Sequence, residues 1–84
     1  MKWTLKYSRQ AESNINRLHP RDKLAIKDKL EECVTDPLHL TKHLVGNLQG
    51  LRSLRKGKVR AVVSLHDEAL TVYVERVEYR GNSY

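Results

Sequence analysis

Between residues 37 and 65 the chain has no aspartate and no glutamate, although it carries ten acids in its 84 residues. Six cations fall in that stretch: Lys42, Arg52, Arg55, Lys56, Lys58 and Arg60. The other ten Lys and Arg are matched by the ten acids, so the formal net charge of +6 belongs to one third of the sequence. Like charges crowded together repel, and ordinary solvated surfaces mix signs. A folded chain that keeps such a patch points to an anionic partner, and a nucleic acid is the first expectation. The bland alternative is a solvated hairpin whose edge lysines discourage strand-to-strand aggregation.

Other scarcities narrow the class further. A single cysteine, Cys33, excludes an internal disulfide and fits a reducing, cytoplasmic compartment. No apolar run approaches the roughly 18–20 residues of a membrane span. The opening MKWTLKYSRQ is too polar for a signal-peptide core, so no membrane partner is expected. There is no P-loop, no GxGxxG and no nucleophile elbow. A metal-dependent nuclease needs clustered carboxylates, and none is expected in a groove built from the acid-free stretch. His39 and His43 are four apart, a spacing that suits a metal only on a helix, and a structural zinc wants four ligands. The expectation is therefore no metal and no cofactor.

What is present supports a small folded unit. An apolar content of 39% supplies one packed layer and argues against disorder, despite 31% charged residues. One domain over residues 1–84 is expected. Trp3, Leu5 and Tyr7 alternate with polar neighbours, which predicts a strand with one buried face. Ser8 is placed as an N-cap, and Ala11, Ile15 and Leu18 recur at helical spacing through about His19. Pro20 suits the start of a second helix, whose apolar side comprises Leu24, Ala25, Ile26, Leu30, Cys33 and Val34. Asp36-Pro37 is expected to end it. Residues 38–50, with Gly46, Asn47 and Gly50, read as a loop. Strand-like runs follow at residues 51–55, 59–65 and 70–77, with short connections suited to hairpins. The fold class is α+β: an N-terminal strand, a helical hairpin, then a three-stranded antiparallel meander, β-α-α-β-β-β.

On that layout Arg60, Val62 and Ser64 share one face of the middle meander strand. Hairpin pairing brings Arg55 towards Arg60 around the Lys56–Lys58 turn, while Leu51 and Leu54 are read as core contacts flanked by Arg52 and Arg55. Near the end of the chain Tyr79 and Tyr84 bracket Arg80. Aromatic faces stack on unpaired bases, and arginine clamps a phosphate in a fork of hydrogen bonds. The alternative for Tyr84 is a frayed terminus. Glu75 and Glu78 fall on or just after the last strand, and nothing in the sequence supports either as a general base.

Several spaced elements agree in order with one known family. They are the strand WTLKYS leading into Ala11, the helical hairpin, the DP at 36–37, and HLVGNLQGLRSLRKGKVRAVVSL, whose Leu44, Gly46, Gly50, Leu54, Arg55, Gly57 and Arg60 are similar to the family's central motif. The closing VEYRGNSY is similar to the family's ending. The chain thus resembles the RelE/ParE superfamily of type II toxin–antitoxin systems, in its RelE-like branch, over nearly its whole length. The resemblance implies a RelE-like fold and a ribosome-dependent, metal-independent endoribonuclease (an mRNA interferase) that cuts messenger RNA in the A site and inhibits translation. It implies as partners the ribosome, mRNA and a small acidic antitoxin encoded by a neighbouring gene. By the same resemblance Arg60 contacts the scissile phosphate, and Arg80 and Tyr84 complete a catalytic set. Arg52, Arg55, Lys56, Lys58 and Tyr79 would bind RNA. Flanking guanidiniums lower the pKa of a phenol, which ordinarily lies at about 10, so Tyr84 could serve as base or stack on a nucleobase. The chain departs from the pattern at Leu51 and Ser53, where the family's best-known member has lysines, and at Tyr79, where many relatives have histidine. A ParE-type gyrase poison and a catalytically degenerate nucleic-acid-binding member remain as alternatives on the same fold.

Overall fold

The computed structural model describes residues 2–43 and 50–79. The elements run β1 (Thr4–Tyr7), α1 (Arg9–Asn16), α2 (Pro20–Cys33), α3 (Pro37–Leu40), β2 (Lys42–His43), β3 (Leu51–Lys56), β4 (Val59–His66) and β5 (Thr71–Tyr79). All five strands belong to one sheet in the order β1-β5-β4-β3-β2. The meander β3-β4-β5 is antiparallel, and β1 lies parallel to β5 in the register Thr4↔Thr71 to Tyr7↔Val74. The sheet is therefore mixed, and the first strand is neighbour to the last.

The caps form where the sequence places them. The Ser8 Oγ accepts from the Ala11 N–H at 2.9 Å, and Pro20 occupies the first turn of α2. Two boundaries differ from expectation. Helix α2 stops at Cys33, before Asp36, and Pro37 opens the one-turn helix α3, because a proline that ends one helix is equally suited to begin the next. The span 38–50 thus contains the end of α3 and the short strand β2, while residues 44–49, including Leu44, Gly46 and Asn47, lie outside the described residues. At the β3–β4 turn Gly57 has φ +61°, the left-handed region that a tight hairpin requires and glycine adopts without strain.

The helices cover one face of the sheet. Ala11 and Ile15 of α1 and Ile26, Leu30 and Cys33 of α2 pack with Leu54, Val59, Ala61, Val63, Val72, Val74 and Val77. Burying each such aliphatic side chain contributes about 1.5–3 kcal/mol before chain entropy is counted. Leu24 is 67% exposed, against its expected place on the apolar side of α2. It lies two residues from buried Ile26, about 200° around the helix, so both cannot face the sheet.

One irregularity positions everything that follows. Val62 pairs with Arg76 but Val63 pairs with Val74, so Glu75 is an extra residue on β5, a β-bulge. Val72 and Val74 face the core before it, and Val77 does so after it. Arg76 and Glu78 consequently turn to the opposite face. Two side chains of the α1 segment pin the bulge: Ser8 Oγ donates to the Glu75 carbonyl at 2.7 Å, and Asn14 Oδ1 accepts from the Val77 N–H at 3.0 Å. Among the described residues no helix is long and apolar enough to cross a membrane.

Candidate nucleic-acid interface

The face of the sheet away from the helices is read from the register. Arg60 stands opposite Arg55 on one side and Glu78 on the other. Val62 lies between Ser53 and Arg76, and Ser64 between Leu51 and Tyr73. The expected approach of Arg55 to Arg60 is present as a direct cross-strand pair. Leu51 shares this face with Ser64 and is not a core contact as expected. A strand alternates with period two, so residues 51 and 54 necessarily point to opposite sides.

The expectation of a groove without acids is corrected by the same pairing. Arg60 Nε donates to Glu78 Oε2 at 2.9 Å, and its Nη2 makes a second bond to that oxygen. Arg76 Nε donates to Glu78 Oε1 at 3.3 Å. The three side chains are 30–33% exposed, so the cluster is sheltered yet reachable from solvent. Burial alone pushes the Glu78 carboxyl upward, but the hydrogen bonds and charges of Arg60 and then Arg76 outweigh it and hold the group below the ordinary carboxylate value. Farther along the same face Ser64 Oγ donates to Glu75 Oε2 at 2.8 Å and lies 3.0 Å from His66 Nε2. Since the serine proton is directed at the carboxylate, His66 donates to Ser64, which is the wrong polarity for an activated nucleophile.

A cleft of about 520 Å³ opens beside Arg60. Lys29, Lys42, His43, Arg55 and Arg60 line it with Leu40, Ser53 and Leu54, and none of these described lining residues is an acid. Four permanent cations converge on this concavity from α2, β2, β3 and β4. In a low-dielectric wall such a concentration of one sign focuses the field and attracts polyanions.

No protein-family model matches the chain. Over its whole length it is 29% identical to Toxin RelG of Mycobacterium tuberculosis, covering 98% of that protein. The crystal structure of the toxin–antitoxin complex RelBE2 from Mycobacterium tuberculosis superposes with a TM-score of 0.89 at 28% identity, covering 98% of this chain and 95% of that one. In sequence and fold the chain is thus similar to RelE-like toxins. The isolated E. coli RelE toxin shares the fold with a TM-score of 0.81 at 23% identity, over 96% of this chain and 87% of that one.

Within this fold the residues singled out from the sequence separate into three groups. Arg60 and Arg55 meet on the open face, and Lys56 and Lys58 are exposed at the adjoining turn. Arg52 and Tyr79, expected in the RNA-binding set, lie on the other face of the sheet from Arg60. Arg52 pairs with Val63, and Tyr79 with Val59, both core residues on the helix-bearing side. The Arg52 guanidinium donates to Thr41 Oγ1 (2.7 Å), Thr41 O (2.9 Å) and Leu38 O (3.0 Å), and contacts His43 Nε2 at 3.0 Å. The Tyr79 hydroxyl donates to Asp22 Oδ2 at 3.0 Å and accepts the His19 N–H at 3.1 Å, closing the start of α2. Arg80 and Tyr84 lie outside the described residues. Arg76 and Lys29 were not singled out by sequence, and Glu78 was noted there only as an unsupported general base. Only the bulge turns Arg76 and Glu78 toward Arg60, and no local pattern announces it.

Proposed function

We propose that this toxin is a ribosome-dependent, metal-independent endoribonuclease of the cytoplasm that cuts messenger RNA in the A site, restrained by a small acidic antitoxin. The observation that carries the reading is Arg60, fixed on a central strand beside Arg55, where it lines a cleft together with Lys29, Lys42 and Arg55. Attack of a 2′-OH on the adjacent phosphorus builds charge on the non-bridging oxygens, and a guanidinium already held in place stabilises that charge without reorganisation. Arg55, Lys56 and Lys58 follow the RNA backbone through contacts that weaken with salt. Arg80 and Tyr84 enter by the family resemblance, Arg80 on the phosphate and Tyr84 as base or stacking platform. The acidic antitoxin meets the same patch, and charge complementarity speeds its association at low salt. The relative in the RelBE2 complex is a member of a toxin–antitoxin pair, which supports that partner class.

The test is primer-extension mapping of messenger RNA after induction, with and without Arg60→Ala. Wild-type chain should yield new 5′ ends within codons and arrest growth. The variant should lose cleavage by about 10²–10³ while it still unfolds in one cooperative transition. Purified cleavage should persist in EDTA on intact ribosomes. Growth arrest without new 5′ ends, untouched by Arg60→Ala and abolished by a substitution in the helical hairpin, would transfer the reading to gyrase poisoning.

A further inference from the structure

We propose that Arg76 is a second phosphodiester-binding residue beside Arg60, and that Glu78 is the positioning residue that keeps the two guanidiniums together; this rests on the reading of the chain as an RNA-cleaving toxin. The argument begins with the bulge at Glu75, which brings Arg76 and Glu78 onto the face that carries Arg60. Two guanidiniums this close repel each other unless an anion lies between them. Glu78 supplies it, with Oε2 taken by Arg60 and Oε1 by Arg76.

The resulting cluster suits a phosphodiester in charge and in geometry. Two cations and one carboxylate leave a net single positive charge, the complement of a monoanionic phosphate linkage. Glu78 occupies two of the five N–H donors of Arg60 and one of those of Arg76. A non-bridging phosphate oxygen is an acceptor of the same kind as a carboxylate oxygen, so a pair of arginines arranged around one anion presents two forks to another. The one-third exposure of all three side chains leaves the site open to such a ligand. Because Glu78 is held ionised and engaged on both oxygens, its part is to orient the arginines, not to carry a proton.

The experiment combines cleavage on programmed ribosomes with binding of a 2′-O-methyl RNA oligonucleotide, which cannot be cut, and NMR of the arginine Nε–Hε groups. Arg76→Ala is expected to weaken oligonucleotide binding and slow cleavage, each by about tenfold. Glu78→Gln adds one net positive charge, so it should bind the oligonucleotide at least as tightly yet lower kcat by about tenfold, with the Nε–Hε signals of Arg60 and Arg76 losing exchange protection. Arg76→Lys should restore binding better than kcat, since an ammonium lacks the fork. Thermal unfolding verifies that each variant is folded. The proposal is overturned if Arg76→Ala binds and cleaves like wild type. It is equally overturned if Glu78→Gln removes the acid limb of the pH–rate profile while both arginine signals stay protected, which would make Glu78 the proton acceptor. If wild-type chain cuts nothing, the nuclease reading fails, and the oligonucleotide and NMR measurements still decide the roles of Arg76 and Glu78.

Discussion

Arg52 illustrates how membership in a charge cluster differs from membership in a binding site. Its guanidinium joins β3 to the end of α3 through Leu38 and Thr41, and an arginine is chosen because one planar fork reaches several acceptors at once. Arg52→Ala should therefore cost about 1–3 kcal/mol in denaturant unfolding and leave RNA affinity nearly unchanged after correction for one lost charge. A drop in affinity with unaltered stability would return Arg52 to the interface. Glu78 sets a second expectation at this scale. Its folded value is lower than the ordinary 4.5, so its ionised form contributes stability above 4.5 and loses that contribution as pH falls through the folded value. Melting temperature followed from pH 6 downward should fall for wild type below about 4.5, and less steeply for Glu78→Gln. Cys33 behaves oppositely: burial first, and the charge of Glu32 after it, raise its thiol to about 11, against the partial pull of Lys29, so it is a packing group with no thiolate at neutral pH.

At the level of elements, Ser8 carries two duties with one hydroxyl. It caps α1 and also satisfies the carbonyl of the bulged Glu75. Ser8→Ala should cost about 1–2 kcal/mol, towards the upper end of simple cap losses, and Ser8→Gly should not recover it. Urea midpoints of the three proteins measure this directly. The cap itself was legible, as were Pro20 at the head of α2, the three meander strands and the face shared by Arg60, Val62 and Ser64, because each depends on local chemistry or on a period of two. The bulge was not. Residues 70–77 alternate well enough to pass for a regular strand, and only the requirement that Val74 and Val77 both reach the core reveals the extra residue. From that single missed feature follows the missed placement of Arg76 and Glu78 beside Arg60. The place of Tyr79 was not legible for a related reason: its hydroxyl closes the start of a helix some 57 residues earlier, a long-range contact that no window of sequence contains.

For the whole molecule the decisive feature is the parallel seat of β1 against β5. The central order β1-β5-β4 means that β5, the last described strand in sequence, completes the sheet between β1, the first, and β4. Until β5 is available β1 has no partner, and the α1 segment lacks both the Glu75 carbonyl and the Val77 N–H that it binds. Contacts of such large sequence separation are slow to close and form together. The fold is thus a lock that can be turned only once synthesis has passed β5, and a nascent chain cannot assemble its arginine cluster while it is still short of that strand. Ribosome-stalled chains ending before residue 71 should be digested by protease throughout, whereas those that expose residue 79 beyond the exit tunnel should become resistant in one step. Resistance appearing first in the helical hairpin would contradict this. The order of the strands therefore delays the arginine cluster until the last of them is free to pair.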